Sequence, residues 1–257
     1  MITLLAESKN MGMPKGIMAA PMGADEPCFR KDASDIAEVF SSMPVEEIAE
    51  RYEVSVALAA KAKRLFYEFH NPQLSAPALM AFTGEVFMGL DICSLGESDL
   101  EFAYRKVGII SSLYGWLQAS DLINPYRFDY YVENPMTCER MHDYWKPRVT
   151  AALLRVLSER GEKEVLNLLP EAAARCIDWN LVRQVADVSK VSFKTIDDSG
   201  KLKTPYSWRV KDLRGKLLRE VLIHKIDSIA DVVYIQTPFL SLEEKSDDIF
   251  SPTFLCL

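Results

Sequence analysis

Short apolar runs alternate with long helical segments along this chain, and that alternation constrains the fold more than any other feature. The runs ITLLA, VGII and KEVLNLL start at residues 2, 107 and 163 and have the length of buried strands. A further strand, DVVYIQ, is predicted from residue 231. Strands interspersed with helices throughout predict an α+β (mixed α/β) fold. The length of 257 residues suits a single domain covering residues 1–257.

Three consecutive helices are predicted between Ser34 and Tyr67, over DIAEVFSSM, PVEEIAERY and SVALAAKAKRLFYEF. Pro44 suits a first turn, and Ser55 is a good N-cap for the last helix. Only the residues EVS separate the second helix from the third, which predicts a tight helical hairpin. Such a hairpin either packs in the core or presents backbone N–H groups and cations to DNA, as a helix-hairpin-helix module does.

Other segments carry recognisable helix and turn signals. Ser98 and Glu101 have capping-box spacing, HDYWKPRVTAALLRVLSER is helical up to Gly161, and DLRGKLLREVLIHKI is a later helix. PALMAFTGEVFMGLD predicts a strand and a turn, while VSKVSFKTIDDSGKLK predicts a hairpin. Residues 10–27 predict a long irregular connection, and loops of that length are often functional.

Charge and composition exclude several classes of protein. The net charge of −7 and the pI near 5.2 argue against nucleic-acid binding over the whole surface, so any such contact must be local. The N-terminal residues lack a signal-peptide pattern, and no segment approaches about 18 apolar residues in a row. Five scattered cysteines predict reduced thiols rather than disulfides or a zinc module. We therefore expect a cytoplasmic protein with no membrane partner.

A basic segment near the C-terminus could supply that local contact. Between Lys201 and Lys225, eight Lys or Arg residues face two acids. On a helical projection Arg214 falls among the apolar Val210, Leu213, Leu217 and Val221, with Gly215 beside it. A core-facing arginine needs a partner, which is either an internal carboxylate or a ligand phosphate or base, with Gly215 leaving room for close approach. A second basic cluster, KAKR, lies at residues 61–64.

The segment SSLYGWLQASDLINPYR, residues 111–127, concentrates polar and aromatic side chains at a predicted strand-to-turn junction. Ser111 and Ser112 could donate to an anion, and Tyr114 or Trp116 could stack on a base. Arg127 could bind phosphate or fix Asp121. The alternative is that Tyr114, Trp116 and Tyr126 are core aromatics and that Asp121 pairs with Arg127, and spacing alone favours this alternative. The motifs of dinucleotide sites, P-loops, zinc proteases and α/β-hydrolases are absent, so we predict no catalytic residue, metal or cofactor.

Several stretches together resemble the bacterial YaaA peroxide-stress family. The family's Ser-x-Leu-Tyr-Gly-x-Leu motif, followed by Asp and Pro-Tyr-Arg, is similar to residues 111–127. AFTGEVFMGLD, DYWKPRV, VLNLL and DDSGKLKTPYSWRVKDLRG are supporting matches, and Lys9 falls at the lysine of an early Ser-Pro-Ala-Lys motif. Departures remove polar or positive character: Ala6, Glu7 and Ser8 replace Ser-Pro-Ala, and Asp212 replaces a lysine. They lower the DNA affinity that we expect.

The resemblance implies an unusual topology with a helix-hairpin-helix-like element and a positively charged cleft. It also implies that the protein binds DNA and limits oxidative DNA damage and free intracellular iron. We further expect a monomer that binds duplex or branched DNA with little sequence preference. The implied DNA- or phosphate-binding residues, taken with those from the pattern analysis, are Lys9, Lys61, Lys63, Arg64, Ser111, Tyr114, Arg127, Lys211 and Arg214.

Two alternatives remain open from the sequence. The first is an enzyme acting on a nucleotide or nucleobase, with Lys9, Tyr114, Arg127 and Arg214 in a closed pocket. The second is redox sensing, which requires an exposed cysteine of low pKa.

Overall fold

The computed structural model describes residues 1–12, 26–243 and 248–256. Most of the predicted irregular connection at residues 10–27 therefore lies outside the described residues. Within the described chain the strands are β1 Ile2–Ala6, β2 Ala76–Pro77, β3 Val107–Ser111, β4 Gly115–Gln118, β5 Leu122–Ile123, β6 Glu164–Asn167, β7 Asp187–Lys190, β8 Ser192–Ile196, β9 Leu202–Lys203, β10 Leu240–Leu242 and β11 Thr253–Cys256.

The α-helices of the same ranges vary from one turn to nearly six. They are α1 Arg30–Ser42, α2 Val45–Tyr52, α3 Val56–Tyr67, α4 Ala78–Ala81, α5 Glu85–Leu90, α6 Glu97–Lys106, α7 Met141–Arg160, α8 Glu171–Ala174, α9 Trp179–Val182, α10 Ser207–Ile223 and α11 Ile229–Val232. Single turns of 3₁₀-helix lie at Pro72–Leu74 and Ile92–Ser94. Together with several sheets, these helices confirm the mixed α/β class.

The main sheet has the strand order β4-β3-β1-β6-β7. β1 runs parallel to both β3 and β6, β7 is parallel to β6, and β4 is antiparallel to β3. Every residue of β1 and β3 is buried, which explains why these strands are continuous apolar runs rather than alternating ones. The strands predicted at residues 2, 107 and 163 are confirmed.

The first three helices form the predicted hairpin arrangement. Ser55 caps α3 by accepting from the Leu58 N–H at 3.4 Å. Glu53 takes a left-handed conformation with φ 52°, so the chain reverses between α2 and α3 without a glycine. The ring of Phe40 on α1 packs against Phe66 on α3 at 5.5 Å, so the hairpin is anchored in the core.

Two backbones approach closely where α5 meets α10. A Cβ placed on Gly215 would lie 1.9 Å from the Val86 carbonyl oxygen, and one on Gly89 would lie 2.4 Å from that of Asp212. Only glycine fits at such distances. Gly215 therefore makes room for a neighbouring helix, which corrects the expectation that it leaves space for a ligand.

The C-terminal part forms a smaller sheet with the order β10-β11-β8-β9. β8 and β9 are antiparallel, as expected for the hairpin around the Asp-Ser-Gly turn, and β11 joins β8 in parallel. Predictions of the long helices α7 and α10 are also confirmed, and Gly161 ends α7 with φ 67°.

Three local predictions are wrong. PALMAFTGEVFMGLD forms α4 and α5 instead of a strand, because the chain after Pro77 turns into the helix that packs on α10. DVVYIQ contributes to α11 and a turn, since Ser228 caps the helix and Tyr234 is 79% exposed. α6 begins two residues earlier than expected, because the Asp99 carboxylate accepts from the Gly96 N–H.

Candidate functional site

A cavity of about 270 Å³ opens at the carboxyl end of β1. The chain leaves β1 to form β3 on one side and later forms β6 on the other side, so this is where the strand order reverses. Crevices at such switch points are the usual ligand sites of parallel sheets. The polar side chains that line the cavity come from the segment after β1, from α5 and α10, and from the loop before α7: Glu7, Ser8, Lys9, Asn10, Glu85, Tyr130, Lys211 and Arg214.

Glu7 has the most unusual environment in this cavity. One of its carboxylate oxygens accepts from the Ser112 N–H at 2.9 Å and from the Tyr126 hydroxyl, which also contacts the Ser111 hydroxyl at 2.7 Å. Burial raises the pKa of Glu7 to about 7, against the opposing effect of hydrogen bonds from Ser112 and Tyr126. Glu7 can therefore gain or lose a proton near neutral pH, as a general acid or base must.

Arg214 lies on α10 next to the buried Leu213 and faces the same cavity. Its side chain makes no hydrogen bond or ion pair with any residue that the structure describes, and burial lowers its pKa. The internal carboxylate considered as one possible partner is thus not found among the described residues. A partly buried guanidinium without an internal partner is available to an anionic ligand.

Lys9 and Lys211 line the cavity, and Arg127 lies beside Lys9. The Lys9 ammonium pairs with the Asp129 carboxylate, and an Arg127 guanidinium nitrogen donates to the Lys9 carbonyl oxygen at 3.3 Å. Lys211 lies 4.0 Å from the Glu85 carboxylate. Residues from distant parts of the chain therefore converge here, but carboxylates partly neutralise two of them.

Ser111 and Tyr114 occupy structural positions beneath the site. Both are fully buried. The Ser111 hydroxyl accepts from the N–H groups of Leu113 and Tyr114 at 3.1 and 2.9 Å. The Tyr114 ring stacks on Phe69, and its hydroxyl accepts from the Asn124 N–H at 3.2 Å. Tyr114 cannot stack on a base in this conformation, which corrects that expectation and supports its interpretation as a core aromatic.

The cations of α3 do not line this cavity. Lys63 donates to the Met43 carbonyl oxygen at 2.8 Å, and Arg64 pairs with Glu68 at 3.3 Å. For Lys61, no side-chain partner is found among the described ranges. Six of the nine candidates therefore lie at the cavity, beside it or beneath it. The three cations of α3 lie on a separate helix face.

A second, more open cavity of about 470 Å³ lies at the carboxyl ends of β6 and β7. The segment 167–171 forms a wall between the two cavities: Leu168 and Pro170 line the first, while Asn167 and Glu171 line the second. The sequence patterns do not predict this cavity, nor that Glu7 and Tyr130 line the first one. The available signal was the position of Glu7 directly after the first buried strand.

Two of the cysteine thiols, those of Cys28 and Cys176, are harder to ionise than a free thiol. Burial raises the pKa of Cys28 to about 11, with a further increase from the charge of Asp121, and burial also raises the pKa of Cys176. The described part of the chain holds no group of three or more His, Cys, Asp or Glu side chains placed to bind a metal ion. It also contains no helix that is long and apolar enough to cross a membrane.

Comparison with known proteins gives a consistent family assignment. The family profile described as peroxide stress protein YaaA matches residues 1–246. A UPF0246 protein of Parabacteroides distasonis is 30% identical over 229 residues, which is 88% of each chain. A UPF0246 protein of Porphyromonas gingivalis is 28% identical over 253 residues, covering 96% of this chain and 97% of the relative. The resemblance inferred from residues 111–127 is confirmed, and the chain belongs to the YaaA peroxide-stress family.

Proposed function

We propose that this peroxide-stress protein binds DNA through the cavity at the carboxyl end of β1. The observation that carries the proposal is the convergence of Lys9, Lys211 and Arg214, with Arg127 beside them, on one concave surface. Phosphate groups would replace the carboxylates that now neutralise Lys9 and Lys211 and would supply the partner that Arg214 lacks. Cations that contact phosphates bind duplex or branched DNA with little sequence preference.

The α2–α3 hairpin is the second part of the proposed interface. Its exposed Lys61 would contact the backbone in the manner of a helix-hairpin-helix module. The protein would act as a cytoplasmic monomer, limiting oxidative damage to DNA and the free iron that promotes it. Because several of its cations are already paired, we expect modest affinity that depends strongly on salt.

A salt series tests the proposal. We expect the logarithm of the DNA association constant to fall linearly with the logarithm of salt concentration, measured by fluorescence anisotropy of a labelled duplex. Arg214→Ala should weaken binding and reduce the slope by about 1, because one phosphate contact is lost. Arg155→Ala is the matched control, since this exposed arginine pairs with Glu159 on α7 and does not line the cavity.

Arg214→Lys retains the charge and separates an electrostatic effect from a packing effect. DNA binding that does not change with salt, or no binding to duplex or branched DNA, would contradict the proposal. An equal loss in Arg155→Ala would show that only the overall charge matters.

A second candidate function is catalysis on a nucleotide or nucleobase, and the protonation of Glu7 favours it. A small recess that combines an unpaired arginine with a carboxyl group of pKa about 7 has the components of an acid–base site. Competition separates the two functions. A mononucleotide that binds as tightly as a duplex, with little salt dependence, supports the enzyme; a duplex that binds much more tightly supports the DNA-binding protein.

A further inference from the structure

The second cavity, at the carboxyl ends of β6 and β7, concentrates positive charge on a protein whose net charge is −7. Four Lys or Arg residues reach it from α7, from the ends of α8 and α9 and from β7, and they face the two carboxylates of Asp143 and Glu171. The four cations are Lys146, Arg175, Arg183 and Lys190. Like charges gathered around one recess repel one another, so an anion placed among them is stabilised.

Most of this charge is not neutralised within the protein. Lys190 lies 3.9 Å from Glu171. The side chains of Lys146 and Arg183 make no hydrogen bond or ion pair with the described residues. Arg175 has one side-chain interaction within the described ranges: its guanidinium carbon lies 6.0 Å from the centroid of the Tyr131 ring. This differs from the first cavity, where Lys9 and Lys211 both have carboxylate partners.

The cavity also contains groups that suit a phosphate ester. His142 contributes an imidazole at the start of α7, and the partly exposed Trp179 contributes an aromatic face while its indole N–H donates to the Ala174 carbonyl oxygen at 2.9 Å. Arginine and lysine bind phosphate oxygens, and an aromatic face accepts a base or sugar.

We propose that this second cavity is a phosphate-binding site, distinct from the cavity that contains Glu7 and Arg214. Its ligand is a phosphate group, supplied either by a free phosphate compound or by a polynucleotide backbone. The site does not depend on the function proposed for the first cavity, although the shared wall at residues 167–171 would let one long ligand reach both.

Trp179 provides a direct measurement. Trp116 and Trp145 are buried, whereas Trp208 is 58% exposed, so a Trp208→Phe background leaves Trp179 as the accessible tryptophan. In that background we expect inorganic phosphate, and a short thymidine oligonucleotide, to change the fluorescence emission on titration. Trp179→Phe should abolish the change.

The variant Arg183→Ala should weaken binding about tenfold, as expected when a charged hydrogen bond is lost. Lys146→Ala is the second test variant. Arg155→Ala is the matched control for both, because Arg155 lies on the same helix as Lys146 but outside this cavity.

Each outcome of the titration decides the proposal. A response to both probes identifies a site for free phosphate compounds, and a response to the oligonucleotide alone identifies a site for backbone phosphates; both support the inference. No response to either probe, or equal weakening in Arg155→Ala and Arg183→Ala, overturns it. Retention of the response in Arg214→Ala shows that the site is independent, so the function proposed for the first cavity can fail separately.

Discussion

At the scale of single residues, Glu7 shows how position changes the chemistry of an ordinary side chain. It follows the central strand β1 directly, and this places its carboxylate against the Ser112 N–H and the Tyr126 hydroxyl. The same burial that raises its pKa to about 7 destabilises the ionised form of the folded protein. Glu7 is thus a cost to stability at neutral pH, which is common for residues that serve function.

The pH dependence of stability should reveal this cost. Since the folded state binds the Glu7 proton more tightly than the unfolded state, protonation of Glu7 stabilises the fold. This stabilisation is fully present below pH 4.5 and is lost as the pH rises through about 7. The loss is on the order of 3 kcal/mol. In Glu7→Gln the free energy of unfolding should lack this fall, measured by urea denaturation at several pH values. Glu85→Gln should keep it; if wild type and Glu7→Gln have parallel profiles, the assignment is wrong.

Arg214 is the residue at which sequence reasoning and structure agree most usefully. Helical projection placed it inside an apolar stripe, and the structure shows it partly buried beside Leu213 and Leu217, facing the cavity. A local periodicity was sufficient for that prediction. It was not sufficient for Tyr114, because whether an aromatic ring faces a ligand or Phe69 depends on residues far away in sequence.

At the scale of elements, the contact between α5 and α10 determines the shape of the cavity. α5 contributes Glu85 and α10 contributes Lys211 and Arg214, so the distance between the two helices fixes the distance between these charges. Gly215 and Gly89 make that distance short.

The variant Gly215→Ala should therefore be strongly destabilising. Its methyl group would overlap the Val86 carbonyl and the Leu90 N–H, at 1.9 and 2.8 Å, and both atoms belong to backbone that cannot move alone. We expect a loss of about 2–4 kcal/mol in the free energy of unfolding, measured by thermal or urea denaturation. Gly96→Ala is the control, because its Cβ would meet only the Asp99 carboxylate, at 3.7 Å. Similar losses in both variants would refute the packing argument.

At the scale of the whole molecule, one ionic cluster ties together segments that are distant in sequence. Lys106, at the end of α6, contacts the carboxylates of Glu162 and Asp227, and the amino group of Met1 contacts both as well. Burial tends to raise the pKa of each carboxyl group, but the hydrogen bonds from Lys106 and the Met1 amino group outweigh it, so both pKa values are lowered. The cluster therefore stabilises the fold above the unfolded pKa values and loses that effect as the pH falls through the lowered ones.

The variant Lys106→Met should remove much of this stabilisation. At neutral pH we expect a loss of about 1–3 kcal/mol, discounted because Asp227 is half exposed to solvent. In this variant the free energy of unfolding should also rise less between acidic and neutral pH. The ionic cluster adds stability as the pH rises, whereas Glu7 removes it. Urea denaturation between acidic and neutral pH measures both. Lys31→Met, which removes an exposed pair with Asp35, is the control and should leave the pH dependence of stability unchanged. An unchanged pH dependence at acidic pH in Lys106→Met would contradict the role given to the ionic cluster.

Local sequence pattern by itself determined the main elements and the family. Apolar runs identified β1, β3 and β6, caps and periodicity identified the α2–α3 hairpin, α7 and α10, and residues 111–127 carried the resemblance that the comparisons confirm. These features depend on neighbours within a few turns of chain, so one sequence reveals them.

Only the tertiary structure decided which side chains meet. The strand order places Glu7, Lys9 and Arg214 at one switch point and leaves Lys61 on a separate helix. It also buries Tyr114 and gives Gly215 a helix rather than a ligand as its neighbour. Such outcomes depend on long-range strand pairing and on backbones packed from opposite ends of the chain, and hydrophobic periodicity contains no information about either.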